Sequence, residues 1–284
     1  MGREMFKGTE GKVSCGMKRL VYVGVLMVMG AAAAAWGQGS AAANGAETKV
    51  EGVLLPGAAY DVATIKPHNP SEMSSARLLP SGEFISRGMA LKTIVGTAYG
   101  KFSFQILAGP AWFESDRYDV DAKPDNALGE QLQKLSWEQR EKVQGRMLQA
   151  LLADRVKLKV HQETKELPLF ALVVEKGGLK LHESKAGEPY RMMVGNGRIV
   201  AQGISMDDLA AQLTGTIDHV VTNKTGLTGA YDFTVRYTDE LSAADSSAPS
   251  IYTALQDQLG LKLESSKGPV QVLVIDHVER PSEN

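Results

Sequence analysis

The chain has 284 residues, 43% hydrophobic and 23% charged, with 31 Lys/Arg against 33 Asp/Glu and a formal charge of −2. This is ordinary globular composition, enough for one large domain or two small ones, and its mild acidity excludes the basic footprint of a nucleic-acid binder. The single cysteine, Cys15, precedes the expected export-signal cleavage point. The mature chain then has no disulfide, no thiolate nucleophile and no cysteine-built zinc site.

From Met17 the chain reads MKRLVYVGVLMVMGAAAAAWGQG. Lys18 and Arg19 form a basic start, Leu20 to Ala35 is an apolar run, and Ala35 and Gly37 have the spacing of a signal-peptidase site. Residues 1–37 are therefore expected to be a cleaved signal peptide, with Met17 as the true start and the Ala41–Ala43 stretch as the second choice of cleavage site. The alternative, an uncleaved anchor, is disfavoured because the run is shorter than the ~20 residues of a spanning helix. Cys15 lies before the run, where a lipid-anchor cysteine would follow it. Removing residues 1–37 takes away five Lys/Arg and two Asp/Glu, leaving 26 against 31. Residues 38–57, rich in Ala, Gly and Ser, read as a flexible lead-in.

Four times the mature chain then repeats a helix followed by two strands. MALKTIVGTAY (89–99) has helical spacing, and FSFQI (102–106) and RYDVDA (117–122) alternate like strands. SWEQREKVQGRMLQALLADR (136–155) is a longer helix with Ser136 as N-cap, followed by VKLKVHQE (156–163) and LPLFALVVEK (167–176). SMDDLAAQLTG (205–215), HVVTN (219–223) and AYDFTVRY (230–237) form the third unit. PSIYTALQDQLG (249–260), LKLES (261–265) and PVQVLVIDHVE (269–279) form the fourth, with Gly260 as a helix C-cap. KELP (165–168) and SKGP (266–269) read as short turns, and longer loops are expected at 67–82, 123–135, 177–197 and 238–250.

The units also resemble one another in pairs. Residues 150–174 can be laid over 254–275, GMALKTIV (88–95) echoes GISMDDLAAQL (203–213), and RYDVDA and AYDFTV share a Tyr-Asp start. These echoes predict an internal duplication, against the alternative that short amphipathic patterns match by chance. The expectation is an α+β fold of four helix–strand–strand units with mainly antiparallel sheets. Its halves are residues 58–180 and 190–284, separate or forming one compact domain.

The ordered strings YDVATIKP, GPAWFESDRYDVDAKP, LLADRVKLKVHQETKELPLFALVVEKGGLKL, NKTGLTGAYDF and TALQDQLGLKLESSKGPVQVLVIDHVERPSEN resemble a family of paralogous exported proteins of soil acidobacteria. That "soil-associated protein" family is a domain of unknown function, and the resemblance covers about residues 58–284. It implies an extracytoplasmic protein with no established activity, and it carries no functional residues. A related domain is found attached to membrane-bound regulatory peptidases of the beta-lactam sensor type. The helix–strand–strand units also look like the small amino-terminal domains of secretins and TonB-dependent transporters, a likeness of topology alone.

No catalytic motif stands out. His68, His161, His182, His219 and His277 are scattered, with no pair at the i, i+4 spacing of a helical metal site. No nucleophile elbow or phosphate-binding glycine loop is present. The best ligand-binding candidate is the acidic aromatic segment 109–124, with Trp112, Phe113, Glu114, Asp116, Arg117 and Asp119. There an aromatic platform beside carboxylates suits a sugar or a cation. The bland reading is a loop closed over the core by Trp112 and Phe113, with its acids solvated. No cofactor, metal or nucleic acid is expected, nor a membrane span once the signal is cleaved. The reading is a non-enzymatic periplasmic or secreted interaction module whose partner is an envelope protein, a peptide or a glycan. Two competing readings are a hydrolase, carbohydrate-active or other, using segment 109–124, and an envelope sensory domain.

Overall fold

A computed structural model describes residues 55–185, 190–238 and 248–282. The expected signal peptide and most of the lead-in lie outside the described residues. The fold mixes α and β, with three four-stranded, mainly antiparallel sheets.

The first sheet has the order β1 (Val62–Pro67), β5 (Arg117–Lys123), β3 (Phe84–Ala90), β2 (Ser75–Leu78), all antiparallel. β3 runs directly into α1 (Leu91–Tyr99), which turns Leu91, Ile94, Val95 and Ala98 into the core at helical spacing. The second sheet repeats this connectivity. Its order is β7 (His182–Glu183), β11 (Ala230–Arg236), β9 (Arg198–Ser205), β8 (Arg191–Gly195). Here β9 runs into α5 (Met206–Ile217), whose Ser205 hydroxyl accepts from Asp208 N–H at 3.1 Å while the Asp208 carboxylate accepts from Ser205 N–H at 3.3 Å.

The third sheet lies between them and takes strands from both halves. Its order is β10 (Val221–Asn223), β6 (Lys159–Val174), β12 (Leu261–His277), β4 (Ile106–Leu107). β6 and β12 pair antiparallel along nearly their whole length, while the short flanking strands run parallel to their neighbours. Each long strand follows a helix. β6 follows α4 (Trp137–Arg155), capped by Ser136, and β12 follows α6 (Ile251–Ala254), extended by a π-helical turn Leu255–Leu259 that ends at Gly260.

The local expectations need four corrections. First, KELP and SKGP are not turns: each lies inside a continuous strand, with Pro168 opposite Lys267 and Pro269 opposite Glu166. β10 covers only Phe170–Leu172 of β6, and β4 covers only Leu273–Val274 of β12. Both prolines therefore sit where their strand has a free edge and needs no outward N–H. Second, the two strands of the first and third units do not pair with each other. One goes to an outer sheet and the other, β4 or β10, to the central one. Third, the loop expected at 123–135 contains α3 (Asn126–Lys134), N-capped by Asp125, whose side chain accepts from Leu128 N–H at 2.8 Å. The loop expected at 67–82 likewise contains β2, and that expected at 177–197 contains β7 and β8. Fourth, FSFQI is mostly a 3-10 turn, Ser103–Gln105, with only Ile106 entering β4.

The apolar interior follows the sheets. One cluster joins the first sheet to α1 and α4, and another joins the second sheet to α5 and the π-helical turn. Leu273 and Ile275 of β12 enter the first cluster, while Leu172 of β6 and Leu261 of β12 enter the second. The central ladder thus shares its apolar faces between both halves.

Candidate functional site

Segment 109–124 splits up in the structure. Residues Trp112–Ser115 form the one-turn helix α2. Phe113 is 1% exposed and belongs to the first core cluster. Trp112 is half-buried, edge-on to Phe113, with the Arg280 guanidinium 5.0 Å from its ring centroid. Arg280 also pairs with Asp116 at 3.1 Å. Glu114 pairs with Lys92 at 3.2 Å, and Arg117 donates to the Glu114 carbonyl at 2.9 Å. Burial, with the Asp116 carboxylate next in weight, pushes the Tyr118 phenol up. Trp112 and Asp116 therefore share one surface with Arg280, a residue that sequence reasoning did not place there. That surface fastens the carboxy-terminal tail, and Glu279 N–H adds a bond to the Val156 carbonyl at 2.8 Å.

Asp119 belongs to a different arrangement, built from a β-bulge. Gly88 in β3 has φ 62°, and the ladder with β5 shifts register between Ser86 and Met89. The freed Gly88 N–H donates to Asp119 Oδ1 at 2.9 Å, and His68 Nδ1 lies 2.7 Å from the same oxygen. Both side chains of the His68–Asp119 pair are 6% exposed. A Cβ on Gly88 would lie 2.6 Å from Ser74 Oγ and 2.8 Å from His68 Nε2, so only glycine fits. The second sheet repeats the device. Gly203, φ 64°, donates to Asp232 Oδ1 at 2.8 Å, and the Ser184 hydroxyl donates to the same carboxylate.

These two clamps explain the shared Tyr-Asp starts and the Gly-led echoes noticed in the sequence. They place Asp119, 4% exposed, in the interior. Sequence reasoning put His68 in a loop and missed its pairing. Of the other histidines, His161 pairs with Asp276 at 2.8 Å, His277 pairs with Glu279 at 2.9 Å, and His219 packs against Phe104 and Phe170. Among the described residues no group of three or more His, Cys, Asp or Glu is placed to hold a metal ion, and no helix is long and apolar enough to cross a membrane.

The open features are at sheet margins. A depression of about 440 Å³ lies beside β7 and β11, walled by Glu183, Ser184 and the loop Gly226–Tyr231. At the opposite margin β8 is an edge strand, joined to β9 by the two-residue turn Asn196–Gly197, with φ 51° and 67°. That is a type I′ hairpin, and the Asn-Gly pair was the sequence signal for it. Met193 and Val194 on β8 are 46% and 37% exposed.

A family model described as "Protein of unknown function (DUF3738)" matches residues 92–278, more than half of the chain. The chain belongs to that family. No curated protein and no solved structure matches it. Asp119, Asp232 and β8 fall within the matched stretch, whereas His68 precedes it.

Proposed function

We propose, from that membership and the geometry above, that the chain is a non-enzymatic interaction module working outside the cytoplasm, in the cell envelope or as a secreted protein. The observation that carries this reading is the margin of the second sheet: among the described residues β8 is a terminal strand, and it bears the exposed Met193 and Val194. Among the described residues β8 has no strand on its outer side, no bulge and no proline, a state in which an edge can accept another strand. The candidate reactive groups, by contrast, have partners within the chain, Asp119 in the interior and Asp116 and Glu114 at the surface. Asp119 is held by Gly88 and His68, Asp116 by Arg280, and Glu114 by Lys92.

The expected signal peptide, the resemblance to soil acidobacterial paralogues and the internal duplication belong to the same reading. The duplication is supported by the matching strand orders and by the paired clamps at Asp119 and Asp232. The test is a pull-down with the mature protein, residues 38–284, from envelope and secreted fractions, read by mass spectrometry. Repeated recovery of one envelope protein is expected. Recovery of nothing above background counts against the reading.

A further inference from the structure

The partner's chemistry can be read from the outer face of the second sheet. Side chains alternate across a strand, and the core takes Ile199 and Ala201 of β9 and Tyr231, Phe233 and Val235 of β11. The opposite face therefore carries Arg198, Val200 and Gln202, with Thr234 and Arg236 across from the first two of these. On β8, Arg191 stands beside Gln202, Met193 beside Val200, and Gly195 beside Arg198.

Arg198 and Arg236 are direct cross-strand partners, a like-charge pair that destabilises a sheet by itself. The arginines in ion pairs are Arg87, Arg155 and Arg280. Arg191, Arg198 and Arg236 have none among the described residues. The first sheet differs at the matching places. Counting back from the two bulge glycines, Glu83 stands where the second sheet has Arg198, and Arg87 is neutralised by Asp121 at 2.7 Å. The first sheet also has basic residues without an ion pair, Arg77 among them, but the second sets two such arginines, Arg198 and Arg236, directly opposite each other beside an edge strand that exposes Met193 and Val194.

The hairpin fixes which backbone groups are free. Residues flanking a two-residue turn exchange hydrogen bonds, and the pattern then alternates. Gly195, Met193 and Arg191 therefore bond to β9, while Met192 and Val194 turn their N–H and C=O to the open edge.

We propose that β8 docks an extended acidic segment of a partner protein, which adds as a further strand and sets its carboxylates against Arg191 and Arg198. This rests on the interaction-module reading and names its partner. An incoming strand lies about 4.8 Å beyond β8. Its outward residues fall beside Arg191, Met193 and Gly195. Gly195 has no side chain, so Arg198 is free to lie over β8 toward the newcomer. The complementary pattern is acid, any, apolar, any, acid. It reads the same in both directions, so either strand orientation satisfies it. Guanidinium groups suit this role because they bind carboxylates bidentately.

The probe is a fluorescein-labelled, capped Glu-Thr-Val-Thr-Glu peptide titrated into residues 38–284 by fluorescence anisotropy, with Lys-Thr-Val-Thr-Lys as control. The glutamate peptide should bind at least tenfold more tightly. The double variant Arg191→Glu/Arg198→Glu should reverse that preference. Val194→Pro removes an outward N–H without touching the β9 ladder, and should weaken binding at least tenfold at an unchanged unfolding midpoint. Met192→Pro repeats this arm if Val194→Pro does not fold. Equal affinity for the two peptides, or wild-type affinity in the proline variants, overturns the proposal. In the pull-down, a partner recovered equally by wild type and the double variant leaves the module reading standing and removes this edge from it. Selective peptide binding with no envelope partner recovered keeps the edge and removes the envelope reading.

Discussion

Replacing Asp119 by alanine tests whether the buried carboxylate is a structural clamp or a ligand-binding group. The substitution leaves two interior donors, Gly88 N–H and His68 Nδ1, facing a site with no acceptor. Each buried donor left unsatisfied costs about 1–3 kcal/mol, and two are left here. We therefore expect Asp119→Ala to lose about 2–6 kcal/mol. For a domain of this size that lowers Tm by roughly 10 °C, at about 2–4 °C per kcal/mol. Asp232→Ala should cost less, about 1–2 kcal/mol. Asp232 is only half-buried, and Ser184 Oγ already lies 3.0 Å from Gly203 N, so the hydroxyl can accept the orphaned bond. Urea unfolding followed by circular dichroism, compared at constant m-value, measures both. A loss at Asp119 below about 1 kcal/mol, or smaller than that at Asp232, would refute the clamp argument.

Other substitutions separate idle polar groups from working ones. The Ser86 hydroxyl is fully buried with no partner among the described residues, and Ala201 holds the matching place in β9; Ser86→Ala should be neutral or stabilise by about 1 kcal/mol in the same unfolding assay. The Tyr60 hydroxyl is likewise buried with no partner among the described residues, and burial pushes its pKa up. The folded state then holds the proton more tightly than the unfolded one, so this contribution is intact below about pH 10 and is lost as pH rises above it. Tyr60→Phe should flatten the alkaline fall in stability while leaving the neutral value unchanged or higher, as read by urea midpoints between pH 8 and 11. Arg280→Ala removes the cation over Trp112 and the Asp116 pair. At exposed sites these are worth under about 1 kcal/mol, so the expected signal is greater iodide quenching of tryptophan fluorescence, with little change in Tm.

The sequence disclosed features whose cause is local. α1, α4 and α5 follow from apolar spacing and from Ser136 and Ser205 as caps. What it hid depends on distant partners. KELP and SKGP resemble turns, and only their pairing with each other, about a hundred residues apart, extends them into strands. Arg280 reaches Trp112 from the far end of the chain, which no spacing rule anticipates. Two misses were avoidable. Asn196-Gly197 between RMMV and RIVA is a hairpin signal that fell inside an expected loop. The repeated Tyr-Asp starts were noticed, but their aspartates were not matched to the repeated glycines that need an acceptor.

The proposed duplication gives a further way to separate folding from function. Where the two copies keep the same part in the same role, as with Gly88 and Gly203 or Asp119 and Asp232, the constraint is the bulge both sheets need. Where they diverge at matched places outside the core, the fold has little stake. Glu83 against Arg198 is such a place, and the fold tolerates a glutamate there in one sheet already. Arg198→Glu should therefore leave stability within about 0.5 kcal/mol, or raise it slightly by relieving the contact with Arg236. A large loss in the urea midpoint would mean that Arg198 supports the sheet, and the divergence between the copies would then no longer point to a docking face.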